Sequence, residues 1–248
     1  MDLVRVRALA RALEFTRGRL IIHIPFHQKV LSYFQPVSLK RSVSEISGYL
    51  ELLLFRNQFQ LLTDGAFYSD GKRYYPAVAV ARHLRDFLPA VKSVLVLGAG
   101  LGSIVQVMRA RGYDPRYTLV EKDKTILGWA LEILGEGNPA KLEPVCHDAR
   151  SFMAQNECKY DLVFVDLFKG RIVPDFVTTP LFLGQCRDSL SPGGRLALNY
   201  IEVDKHKWEK ARRVLAGAFP GAPIVSKDDN RILISSPSAT AATVLSGK

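Results

Sequence analysis

The stretch Ser93-Val-Leu-Val-Leu-Gly-Ala-Gly-Leu-Gly-Ser103 decides the fold. Val94–Leu97 is a continuous apolar run, as in a strand buried on both faces of a parallel sheet. Glycines follow at 98, 100 and 102. Ile104, Val105, Val107 and Met108 then open a helical pattern that stops at Gly112. The stretch therefore predicts strand, glycine turn, helix. Glycine lets the backbone turn sharply and lets a ligand lie against it where a β-carbon would clash. The following helix start offers unpaired N–H groups to polar or anionic atoms.

The dinucleotide fingerprint is G-x-G-x-x-G, but here Ser103 stands at the third glycine position. The G-x-G-x-G spacing instead looks like the nucleoside-binding turn of class I S-adenosylmethionine-dependent transferases. Either motif alone is weak, since a glycine turn can bind nothing. The next acid strengthens it. Tyr117–Val120 reads as a second strand, and Glu121 ends it. A carboxylate there can accept both hydroxyls of a ribose.

The chain has 248 residues and 48% hydrophobic content, enough for one α/β domain with an appendage. No apolar run approaches the ~20 residues that span a bilayer, and no leader pattern is read at the start. The three cysteines and five histidines show no ligand spacing, so no metal is expected and a reduced, cytoplasmic protein is. Residues 1–41 hold eight basic residues against Asp2 and Glu14, which is most of the net +10. Such a segment can meet nucleic acid or acidic lipid. A solvated extension is the preferred reading, which weighs against a nucleic-acid partner and a membrane.

In chain order, Leu3, Val6, Leu9, Ala10 and Leu13 recur at helical spacing, and Ile21–Ile24 is a short β-like run before Pro25. Tyr49–Phe55 and Gln58–Leu62 around Arg56-Asn57 predict a β-hairpin. Thr63-Asp-Gly65 and Ser69-Asp-Gly71 are turns around a short strand at 66–68. Helices are predicted over 76–88, 123–134, 180–190 and 205–219, with Asp123 as an N-cap. Strands are predicted at Leu142–Cys146, Tyr160–Val165, Arg195–Ile201, Pro223–Ser226 and Arg231–Ser235, with Ser191-Pro-Gly-Gly194 as a closing turn. The β-α alternation predicts an α/β fold, a doubly wound and mostly parallel Rossmann-like sheet behind a small N-terminal antiparallel β-unit. The expected division is a basic extension (1–44), the β-hairpin unit (45–75), the nucleoside-binding domain (76–236) and a frayed tail (237–248). The β-unit is also the candidate surface for a homodimer.

In such a sheet the ligand sits outside the carboxyl ends of the strands. The glycine turn, Glu121, Asp148 and Asp166 all fall at that edge, in order. Asp148 can accept from an adenine amino group, with the Ala149 N–H supporting the ring. Asp166 is left nearest the group to be transferred.

These residues, with Glu121-Lys-Asp123 and His147-Asp148-Ala149, resemble the spermidine synthase-like proteins over roughly residues 45–235. The resemblance implies a class I methyltransferase-type fold. It implies an adenosylmethionine-type cofactor held by Gly98, Ala99, Gly100, Gly102, Glu121, Asp148 and Ala149. It also implies that Asp166 helps to deprotonate an amine nucleophile. Three departures bear on the substrate. Aminopropyltransferases carry Asp where Leu101 stands, a Ser-Tyr pair followed by His or Gln where Ser69-Asp70-Gly71 stands, and a second Asp where Lys169 stands. Two lost carboxylates and one added cation argue against a polyamine site. The expectation is thus an S-adenosylmethionine-dependent methyltransferase on a small-molecule acceptor, with Asp166 catalytic and intact S-adenosylmethionine bound more tightly than its decarboxylated form. The alternatives are an aminopropyltransferase using decarboxylated S-adenosylmethionine, and a nucleoside-binding protein without catalysis.

Overall fold

The computed structural model describes residues 22–63, 66–67, 69–135 and 137–235. The helical reading of Leu3–Leu13, the turn at 64–65 and the tail at 237–248 lie outside these residues. Residues 22–25 form no regular element, so the run before Pro25 is not a strand. A short helix follows, α1 (Phe26–Leu31).

Four strands then make an antiparallel meander: β1 (Val37–Ser44), β2 (Gly48–Phe55), β3 (Gln58–Thr63) and β4 (Ala66–Phe67). The β2–β3 hairpin turns at Arg56-Asn57, both with positive φ, the geometry of a two-residue turn between twisted strands. β1 falls inside the stretch read as a basic extension. Its charged residues hid it: Lys40 pairs with Glu132 of the facing helix and Arg41 with Glu51 of the neighbouring strand, so they are not a solvated tail.

The second sheet has seven strands, in the order β10-β11-β9-β8-β5-β6-β7. These are β5 (Ser93–Leu97), β6 (Arg116–Glu121), β7 (Leu142–Cys146), β8 (Tyr160–Val165), β9 (Leu190–Ile201), β10 (Ile224–Lys227) and β11 (Asn230–Ile234). β5 to β9 run parallel, while β11 is antiparallel to both β9 and β10. The chain order reverses between β5 and β8, which is where a doubly wound sheet opens a crevice. β9 begins earlier than expected and takes in Ser191-Pro-Gly-Gly194; a register shift after Tyr160 on β8 absorbs the irregularity.

Helices cover both faces. α2 (Tyr75–His83), α3 (Ser103–Arg109) and α4 (Lys124–Leu134) lie over the side chains Val94 and Val96 of β5. α5 (Ala149–Gln155), α6 (Pro180–Asp188) and α7 (Lys205–Ala218) lie over Leu95 and Leu97. α5 was not anticipated from the sequence; it is started by Asp148, whose carboxylate accepts from the Ser151 N–H at 3.0 Å. Asp123 caps α4 in the same way, accepting from Thr125 and Ile126.

A third apolar cluster joins the two sheets. Leu50, Leu52 and Leu61 of the small sheet pack on Ile126 and Trp129 of α4 and on Leu101 of the glycine turn. Polar links run along its border: the Lys40 ammonium to Glu132 and the Ser44 hydroxyl to Asp123. No described helix is long and apolar enough to cross a membrane, and no group of described residues could hold a metal ion.

Candidate functional site

Strand register builds the site. Leu97 of β5 lies beside Val120 of β6 and Val165 of β8. The next residue on each strand, Gly98, Glu121 and Asp166, is therefore level with the others at the crevice. The backbone is drawn in here: the Gly98 and Ala99 N–H groups both donate to the Val120 carbonyl, and the Asp166 N–H donates to Leu97. Gly98 has φ +84°, and a β-carbon there would stand 2.3 Å from the Asp166 carbonyl oxygen. No other residue type fits that approach. At Gly100, with φ +50°, a β-carbon would meet nothing within 4 Å, so its need for glycine is conformational and the space over the turn is open.

A cavity of about 430 Å³ lies over this edge. All the sequence-predicted site residues except Gly102 line it; Gly102 sits just behind, at the start of α3. One oxygen of Glu121 accepts from the Gly100 N–H at 3.1 Å and the other from the Asp123 N–H at 3.2 Å. Burial raises the Glu121 pKa against the pull of these donors. Asp148 stays exposed at the rim, beside the buried Ala149.

Asp166 occupies the other end. Burial raises its pKa to about 6, opposed by hydrogen bonds from Asn199 and Tyr74. The Asn199 amide donates to Oδ1 of Asp166 at 2.8 Å. The Tyr74 hydroxyl is itself held well above its usual pKa, by burial first and then by the Asp166 charge. Sequence reasoning missed both partners. Tyr74 enters from the N-terminal end of α2, and its only signal was the Tyr74-Tyr75 pair after a turn. Asn199 left a clearer one: a lone amide after the apolar run Leu196–Leu198 of a central strand. The register Val165 to Leu198 sets Asn199 next to Asp166.

Two further groups define the walls. Glu45, in the β1–β2 turn, reaches the cavity from the small sheet. The Ser44 hydroxyl holds that turn, accepting from the N–H groups of Ile46 and Ser47. After β8, Leu167–Gly170 forms the opposite wall, where Lys169 and Ile172 exchange backbone hydrogen bonds at 2.9 and 3.1 Å.

No family profile matches the chain. Curated relatives do. A probable polyamine aminopropyl transferase of Bifidobacterium longum is 29% identical over 126 residues, covering 51% of this chain and 27% of that protein. A polyamine aminopropyltransferase of Vibrio vulnificus is 25% identical over 171 residues, 67% of this chain and 57% of the relative. The chain thus spans only a quarter to somewhat over half of the length of these relatives. Among solved structures, a probable spermidine synthase of Corynebacterium glutamicum aligns with a TM-score of 0.65 at 22% identity, over 79% of both chains. Human methyltransferase-like protein 13 aligns at 0.56 and 20% identity, over 70% of this chain and 84% of that one.

These relatives overturn the methyltransferase expectation and favour the aminopropyltransferase alternative. The structure explains how the departures misled. Leu101 is 1% exposed and belongs to the apolar joint between the sheets. No tyrosine stands at Ser69-Asp70-Gly71, but Tyr74, a few residues on, lines the cavity. Asp70 is engaged elsewhere, by Gln60 and Arg73. Lys169 is solvent-exposed at the rim. The chain is thus similar in sequence to polyamine aminopropyltransferases, and it shares its fold with a probable spermidine synthase and with a methyltransferase-like protein.

Proposed function

We propose that the chain transfers the aminopropyl group of decarboxylated S-adenosylmethionine to a polyamine acceptor. The observation that carries this reading is the Asp166 carboxylate. It lies in the cavity beyond the glycine turn, faced by Tyr74, with its pKa raised by burial to about 6. At neutral pH it is ionised and attracts a cationic amine. Its raised pKa also makes it a better proton acceptor than an ordinary aspartate.

The remaining residues suit the nucleoside half of the donor. Glu121 has acceptor capacity left after its two backbone contacts, the chemistry a pair of ribose hydroxyls requires. Asp148 keeps one oxygen free of its helix-capping bond and would accept from the adenine amino group, beside the Ala149 N–H. Gly98, Ala99 and Gly100 would let the ligand approach the backbone, and Gly102 sets the turn into α3. Around the cavity, Glu45, Glu121, Asp148 and Asp166 stand against Lys122 and Lys169, a balance that favours cationic ligands. The bound donor would supply a sulfonium leaving group, so that a nitrogen–carbon bond forms as the carbon–sulfur bond breaks and methylthioadenosine departs. Asp166 would take the amine proton, and Tyr74 would hold the carboxylate facing it.

The test is product analysis after incubation with decarboxylated S-adenosylmethionine and putrescine. Methylthioadenosine and an aminopropylated amine are expected in equal amounts, with loss of both in Asp166→Asn. Methyl transfer from intact S-adenosylmethionine, with no aminopropyl transfer to any amine of a broad panel, would refute the proposal.

A further inference from the structure

Asn199 is the one fully buried amide among the described residues. It is 0% exposed, in the middle of the sheet, flanked by β8 and β11. Its Nδ2 donates to Asp166, yet its Oδ1 has no hydrogen-bond partner among the described residues. A buried acceptor without a partner is a standing cost to the fold. Leucine has nearly the same shape and would carry no such cost, and the neighbours Leu196, Ala197 and Leu198 show that this strand is otherwise apolar. The amide therefore earns its place through the half that is bonded.

We infer that Asn199 is a positioning residue: it fixes the orientation and the ionised state of Asp166, and stability is given up for that. The inference rests on Asp166 being the base proposed above. The geometry is a charge-assisted hydrogen bond between adjacent parallel strands, which holds Oδ1 of the carboxylate toward β9. Deleting the donor removes stabilisation from the carboxylate form only, so protonation becomes easier and the Asp166 titration moves to higher pH. Tyr74 is the other group bonded to Asp166, and the Asn199 side chain hydrogen-bonds Tyr74 as well. The remaining titratable groups around the cavity are Glu45, Glu121, Lys122, His147, Asp148 and Lys169, and the substitution leaves all of them in place.

The experiment is a carboxyl carbon NMR titration of aspartate-labelled full-length protein, with the Asp166 signal assigned by its absence in Asp166→Asn. It is run on the wild type, Asn199→Leu and Asn199→Ala, beside thermal melts. In both variants the Asp166 midpoint should rise by about one pH unit, the size of a lost hydrogen bond to a charged group. Asn199→Leu should melt at or above the wild-type temperature. An unmoved midpoint in a folded variant overturns the inference. So does a melting point for Asn199→Leu lowered by more than about 5 °C, or its failure to fold, because the amide would then serve packing. The titration is read without substrate, so its outcome is separate from that of the product assay. If aminopropyl transfer is seen, the acid limb of kcat should move with the NMR midpoint.

Discussion

At the end of the cavity proposed for the nucleoside, Gly98 follows β5 and Glu121 ends β6, and parallel register alone brings them level. At the end proposed for the amine, Tyr74, Asp166 and Asn199 meet from α2, β8 and β9. The first end is backbone-built and continuous with its strands. The second is assembled from side chains distant in the sequence, and buried enough to shift a carboxylate's pKa. The difference predicts a division of labour: changes at the first end should alter affinity, and changes at the second should alter turnover and its pH dependence.

The largest effect should come from Asp166→Asn. Turnover should fall by roughly 10²–10⁴-fold, the usual range for a lost general base, with nucleoside affinity nearly unchanged. The same variant should be more stable at pH 8. A buried carboxyl with a folded pKa near 6 and an unfolded one near 3.8 binds its proton more tightly in the folded state. Stability therefore falls as pH rises through that window, and asparagine removes a penalty of roughly 1–3 kcal/mol, seen in denaturant melts at pH 8. Next is Leu101→Asp. If Leu101 belonged to the amine end, this change would add a useful charge. As part of the joint between the sheets, it should instead cost roughly 3 kcal/mol of stability, read by chemical denaturation.

Glu121→Ala tests the other end. It should weaken binding of methylthioadenosine by roughly 1–3 kcal/mol, measured by calorimetry, and leave the pH profile alone. A drop in kcat with unchanged affinity would break the comparison. The smallest effect is expected for Tyr74→Phe, which removes one of two donors to Asp166. The acid limb of the kcat profile should move from about pH 6 to higher pH, so the loss is greater at pH 6 than at pH 8.

The same contrast explains what the sequence revealed. The glycine turn, Glu121, Asp148 and Asp166 were legible because each sits at or just past the carboxyl end of a strand, and the central strands of a parallel sheet stand out as apolar runs. Tyr74 and Glu45 were not, because the nearness of Tyr74 to Asp166 and the place of Glu45 on the cavity depend on how α2 and the small sheet dock, which no local period encodes. Leu101 was misread for a related reason. Its position in the turn matched a charge-bearing one, but the docked leucines of the small sheet make it core. β1 was hidden because a strand whose charged residues are paired by a facing helix and a neighbouring strand reads in the sequence like a solvated tail.

The most direct test of the account is calorimetric titration of the full chain with decarboxylated and intact S-adenosylmethionine under the same conditions. A cavity lined by Glu45, Glu121, Asp148 and Asp166 against Lys122 and Lys169, with no arginine among its described lining, should bind the decarboxylated, more cationic form more tightly, by at least about tenfold. Tighter binding of the intact cofactor, whose carboxylate would then have found a partner, would contradict it.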